Sequence, residues 1–170
     1  MEKKRSGPLA AERLGVVPRV VGLPRLQQLY RRFTGLDIDK AKASLILDIA
    51  EKKLVDLFEV AAERARMEGR EEVKLRDIPL TKGLRETMER YERERERLQD
   101  PRLDPGPIVE FLERPLSELS MDEELREKLP VIAATVLLLI GYVIKHVDPG
   151  AREPSKEDIE RAKRILDLTL

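Results

Sequence analysis

The chain is 170 residues long, 41% apolar and only 4% aromatic, enough for one domain or two small ones cored by Leu, Ile, Val and Ala, and a composition that disfavours β-rich folds. Charged residues make up 39%, split evenly into 33 basic and 33 acidic, which suits surface ion-pair networks of the kind found in thermostable proteins. With no cysteine and one histidine, disulfides, thiolate metal sites and thiol nucleophiles are excluded, and the composition fits a reducing, cytoplasmic setting.

Residues 1–23, rich in Pro, Gly and basic side chains, read as a loosely ordered leader without the apolar segment of a signal peptide. Pro24 then suits the first turn of a short helix bearing Leu26, Leu29, Tyr30 and Phe33 at helical spacing and ending at Gly35. Asp37 or Asp39 caps the next helix, predicted over about residues 40–68 with Leu47, Ala50, Leu54, Leu57, Phe58, Ala61 and Ala65 on one stripe, widened by Ile46, Ile49, Val60 and Ala62. So broad an apolar surface requires neighbours on more than one side. Gly69 takes the position past the helix end where a left-handed residue is needed.

The stretch GREEVKLRDIPL (residues 69–80) alternates Val73 and Leu75 too briefly for a sheet, and reads as a loop that pairs with another extended segment. Asp77 is placed to cap the following helix, and Arg70 and Asp77 can meet across the loop. That helix turns Leu80, Leu84, Met88 and Tyr91 inward and runs out as a solvated charge run, ERERERLQD, to about residue 99. Gly83 within it reads as a close-packing point. DPRLDPGP, residues 100–107, is a linker.

After the linker the order repeats over residues 108–170. A short helix begins near Asp104 and Pro105 and carries Ile108, Val109, Phe111 and Leu112. Ser120 and Glu123 are spaced as a capping box for a long helix to about residue 147, containing Pro130 and the run VIAATVLLLIGYVI. That run is 14 residues, where a membrane span needs about 20, so a buried central helix is expected. Ser155 and Asp158 start a last helix bearing Ile159, Ala162, Ile165, Leu166 and Leu168. Short, long, short thus occurs in residues 24–99 and again in 108–170. Neither unit covers its own long helix, but two such units cover each other, and pairing them brings each half's second loop beside the other's first.

GREEVKLRDI resembles the Gly-Arg-x-x-Ile/Val-Lys-x-x-Asp-Ile signature that joins the long and last helices of archaeal histones, with Gly69, Arg70, Val73, Lys74, Asp77 and Ile78 matching without a gap. The whole pattern, residues 24–170, is similar to a bacterial family of unassigned function that carries two histone folds in one chain. The resemblance implies an all-α histone fold, two tandem units forming an intramolecular pseudodimer, monomeric because the usual dimer interface is internal. It also implies a structural Arg70–Asp77 clamp and, with one residue fewer and Pro154 intruding, a second clamp from Arg152 to Asp158.

Charge is unevenly placed: residues 1–35 hold eight Lys and Arg against two acids, and residues 101–125 hold two against seven. Histones grip phosphate with basic first helices and loops, and the candidates here are Lys3, Lys4 and Arg5 of the leader with Lys40, Lys42, Lys74 and Arg76, taken as one positive edge. Against them, the resemblance puts Gln28 and Asp37 where basic residues are usual, and the second half's first loop is acidic. Two readings stand: a nucleoid-associated protein making weak, non-sequence-specific contacts to double-stranded DNA, and a scaffold for a protein partner. An enzyme is disfavoured, and no cofactor or metal is expected: His146 sits beside Lys145 at a helix C-terminus, and Glu71/Glu72 and Glu123/Glu124 are neighbours that point apart.

Overall fold

Most apolar residues at three- and four-residue spacing are buried, while Val60, Ile165 and Leu168, expected on the same faces, are exposed because no neighbouring helix covers them. The computed structural model describes residues 10–170, with side chains from Gly22 onward. Its helices are α1 (Ala10–Thr34), α2 (Lys40–Met67), α3 (Lys82–Leu98), α4 (Gly106–Glu113), α5 (Glu123–Val147) and α6 (Lys156–Thr169), with 3-10 turns at Leu75–Asp77, Pro101–Leu103 and Arg114–Leu116. Among the described residues, extended pairing is one isolated parallel bridge, Val73 to Met121.

The first helix departs from expectation. It begins at Ala10 and continues through Pro24, because helix-forming residues such as those of AAERL precede the prolines and tertiary packing of its C-terminal half outweighs the hydrogen bond that Pro24 removes. Residues 10–23 are therefore helical, and α1 is nearly as long as α2. The predicted edges of α2 hold: Asp39 caps it, accepting from Lys42 N at 2.8 Å, while Asp37 is left for another task. Its end is a Schellman motif, with Gly69 N donating to Arg66 O and Arg70 N to Ala65 O, both at 2.9 Å. Gly69 supplies the positive φ of 75° that this geometry demands.

Two predicted caps move. Thr81 starts α3, accepting from Leu84 N at 3.2 Å, and Asp77 instead closes the turn before it. Asp122 starts α5, accepting from Leu125 N at 2.9 Å, so the Ser120–Glu123 box does not form. The Ser155–Asp158 capping box does form at α6, with reciprocal bonds of 3.0 and 3.1 Å.

The long helices α2 and α5 pack on each other; α3 lies on α5, α6 lies on α2 and α5, and α1 lies on α4 and α5. α3 thus shields α5, while α6 packs chiefly on α5 and also reaches α2. The centre is α5, where every residue from Val131 to Leu138 is buried. By length and composition α5 could cross a membrane, but 61% of its most apolar window is buried inside the protein and its first two turns carry Glu123, Glu124, Arg126, Glu127 and Lys128. Each large aliphatic side chain buried here contributes about 1.5–3 kcal/mol.

Tyr30 and Tyr91 are fully buried, and their hydroxyls donate to Leu137 O at 2.6 Å and Leu103 O at 2.9 Å. The first bond ties α1 to α5, and the second ties α3 to the linker. Close packing falls on Gly141, where a Cβ would stand 2.9 Å from Thr34 Cγ2 and 3.1 Å from Tyr30 Cζ. Gly83, expected to be such a point, faces open space: it lies on the solvent side of the first turn of α3.

Candidate nucleic-acid interface

The topology brings the loops together in two pairs, at opposite ends of α2. At one end the loop between α1 and α2 meets the loop between α5 and α6: Asp37 N donates to Arg152 O at 2.8 Å. At the other end the loop between α2 and α3 meets the segment before α5: Val73 N donates to Ser120 O at 2.9 Å and Asp122 N to Val73 O at 3.1 Å.

The sequence-predicted site residues divide between these ends. Arg70 and Asp77 meet in a fork, Nη1 to Oδ2 and Nη2 to Oδ1, each at 2.9 Å. Asp77 also accepts from Lys74 N at 2.8 Å, and the Arg70 guanidinium beside it holds its carboxyl down at about 2. Arg70 also donates to Glu68 at 2.6 Å and to Glu72 O at 2.9 Å, so four bonds fix it and none of its charge is directed at an external phosphate.

The second clamp is not built. Arg152 Nε donates to Asp37 Oδ2 at 3.0 Å, across the loop pair, while Asp158 is occupied in its own capping box. Pro154 and the shorter spacing remove the turn that would carry Arg152 back to Asp158, and the extended segment delivers it to the other half instead. Arg31 joins from α1, with Nε 2.8 Å from Asp37 Oδ1. Arg31 first, and then Arg152, hold the Asp37 carboxyl below the usual carboxylate range.

Lys40 and Lys42 stand in the first turn of α2, whereas Lys74 and Arg76 stand beyond its last turn. At about 1.5 Å per residue, the 28-residue helix between them spans about 40 Å, so the four do not form one positive edge. Lys42 Nζ is 3.6 Å from Asp39 and Arg76 Nη2 is 3.0 Å from Glu68. Lys40 is exposed and Lys74 half-buried. Their surroundings at the Lys74 end are acidic, with Glu68, Glu71, Glu72, Glu118, Asp122, Glu123 and Glu124 on the paired segments. Lys3, Lys4 and Arg5 lie outside the described residues.

Nor are the described arginines of α1 directed outward as free charge. Arg25 donates to Pro101 O at 3.1 Å and Asp104 O at 2.6 Å, and Arg32 pairs with Glu94 at 3.3 Å. These bonds fasten α1 to the linker and to α3. His146 is exposed, with Nδ1 2.8 Å from Tyr142 O.

Lys53 escaped the sequence reading. It is 3% exposed and pairs with Asp167 at 2.6 Å and Asp56 at 3.4 Å, where its spacing of four from Ile49 and seven from Ile46 puts it on the buried face of α2. That spacing was the available signal.

The described residues form an all-helical protein in which α5 is packed on by α1, α2, α3, α4 and α6. Within that class the chain belongs to the family described as a domain of unknown function (DUF1931), whose model matches residues 26–167. It is 29% identical over 150 residues to an uncharacterised protein of Aquifex aeolicus (strain VF5), covering 88% of this chain and 84% of that protein. In structure it is similar to a crystal structure from Thermus thermophilus, with TM-score 0.74 and 33% identity over 85% of this chain and 95% of that one. A crystal structure of an Aquifex aeolicus protein matches with TM-score 0.70 and 25% identity, covering 88% and 95% of the two chains.

Proposed function

We propose that the chain is a histone-fold pair contained in one polypeptide, monomeric, and that it serves as a protein-interaction scaffold and does not wrap DNA. Three features support the histone-type pairing: the packing of α3 on α5 with α6 reaching both α5 and α2, the parallel bridge from Val73 to Met121, and the Arg70–Asp77 fork after a left-handed Gly69.

The observation that carries the scaffold reading is the charge at the loop pairs, where histones hold phosphate. One end is ringed by acids that repel a duplex. At the other, Arg31 and Arg152 share the single carboxylate of Asp37, and the cations of the two ends stand about 40 Å apart along a helix. Duplex binding needs several cations in reach of successive phosphates.

Fluorescence anisotropy of a labelled duplex at low ionic strength tests this. The scaffold reading expects no saturable binding. Saturable binding that weakens steeply with salt refutes it and selects the DNA reading, which draws its support from the basic N-terminal residues; Lys3→Gln, Lys4→Gln and Arg5→Gln together then locate the contact.

A further inference from the structure

Along one face of α2 and one face of α6 runs a cavity of about 680 Å³, within the roughly 300–1,000 Å³ usual for small-molecule sites. Leu45, Ile49 and Ile159 form its apolar lining, with Ile49 and Ile159 buried and Leu45 half-exposed at the rim. Lys53 also lines it, with a side chain only 4% exposed. An ammonium has three donors; Asp167 and Asp56 account for two of them, at 2.6 and 3.4 Å.

The rim adds cations. Lys156 and Arg164 line the same cavity, and among the described residues neither is held in an ion pair, although Glu160 stands one turn from each on the same face of α6. Of the acids on the walls, Asp167 is engaged by Lys53 and Lys163, at 2.6 and 3.6 Å, and Glu157 by Arg161 at 3.2 Å; Asp48 and Glu160 stand at exposed positions. An apolar lining with a nearly buried lysine, and an arginine close to it that is in no ion pair among the described residues, matches a molecule with an apolar tail and one negative head. Burying an apolar tail supplies affinity, and a charge-assisted bond to an ammonium fixes the head.

We propose that the cavity between α2 and α6 binds a small amphipathic organic anion, of the class of medium-chain carboxylates. The tail lies on Leu45, Ile49 and Ile159, and the head is drawn to Lys53 and to Arg164, which stands three residues before Asp167, the partner of Lys53, on α6. This site is separate from the loop pairs, so it stands or falls independently of the scaffold reading.

Titration of the full isotope-labelled chain with sodium octanoate, followed by amide NMR, tests it, with acetate and the neutral octyl glucoside as controls. Expected are saturable shifts confined to residues 45–53 and 156–167 that neither control reproduces. Leu45→Trp, which fills the cavity from its rim, should weaken binding about tenfold or more, equivalent to about 1.4 kcal/mol. Arg164→Gln, at an exposed position, should weaken it severalfold without disturbing the fold. Absent or scattered shifts, equal shifts with octyl glucoside, or an affinity unchanged in both variants overturns the proposal.

Discussion

Replacing Asp77 with Asn removes one charge and leaves the shape. In the native loop that carboxylate takes two bonds from Arg70 at 2.9 Å and one from Lys74 N at 2.8 Å, and its residue is 3% exposed. Its carboxyl is lowered from 3.8 to about 2. At about 1.36 kcal/mol per pKa unit this corresponds to about 2.4 kcal/mol favouring the ionised form. Because the Arg70 side chain is 19% exposed, solvent screening trims the figure to about 1.5–2 kcal/mol.

The sign follows from the depressed folded-state value. Stability from Asp77 is fully present above the unfolded value of 3.8 and is lost as pH falls through the folded value of about 2. Urea unfolding of the wild type and Asp77→Asn at pH 7, compared at equal m-value, should separate them by about 1.5–2 kcal/mol. The gap should close as pH falls from about 4 to about 2. A gap under about 0.5 kcal/mol at pH 7, or one that does not change with pH, refutes the assignment.

Two glycines of one chain should respond oppositely. Gly141→Ala places a Cβ 2.9 Å from Thr34 Cγ2 and should lower Tm, an overpacking cost of about 1–3 kcal/mol outweighing the helix-propensity gain; Gly83→Ala, with nothing within 4 Å, should raise stability by about 0.5–1 kcal/mol. Tyr30→Phe strips Leu137 O of its 2.6 Å donor and should cost about 1–2 kcal/mol in chemical denaturation. A neutral Tyr30→Phe would mean that α1 does not seat on α5 as described.

Much of this architecture is written in local chemistry. Gly69, Arg70 and Asp77 specify a left-handed helix end and a clamped loop within ten residues, and the broad apolar stripes of α2 and α5 require several helices to cover them. What stayed hidden depends on contacts distant in sequence. Arg152 and Asp158 have the right types near the right spacing, yet a residue deletion and Pro154 hand Arg152 to Asp37, which is 115 positions away. Asp77 and Thr81 both make credible helix caps, and only the path of the loop decides between them. The extent of α1 beyond Pro24 depends on α4 and α5 holding its far end, which no local propensity reports. The candidate phosphate contacts failed as one edge for a geometric reason: Lys40 and Lys74 stand near each other in a list of loops but at opposite ends of a helix.

The pairing of the two halves within one chain is tested most directly by cross-linking a protein that has no cysteine of its own. Val73 and Met121 are partners in the parallel bridge, and paired strands lie about 4.7–4.9 Å apart, within the roughly 4.4–6.8 Å between Cα atoms that a disulfide spans. A Val73→Cys, Met121→Cys double variant should oxidise to a single-chain species that keeps the monomer mass and migrates faster on a non-reducing gel. Recovery of free thiols only, or of disulfide-linked dimers, would contradict the account.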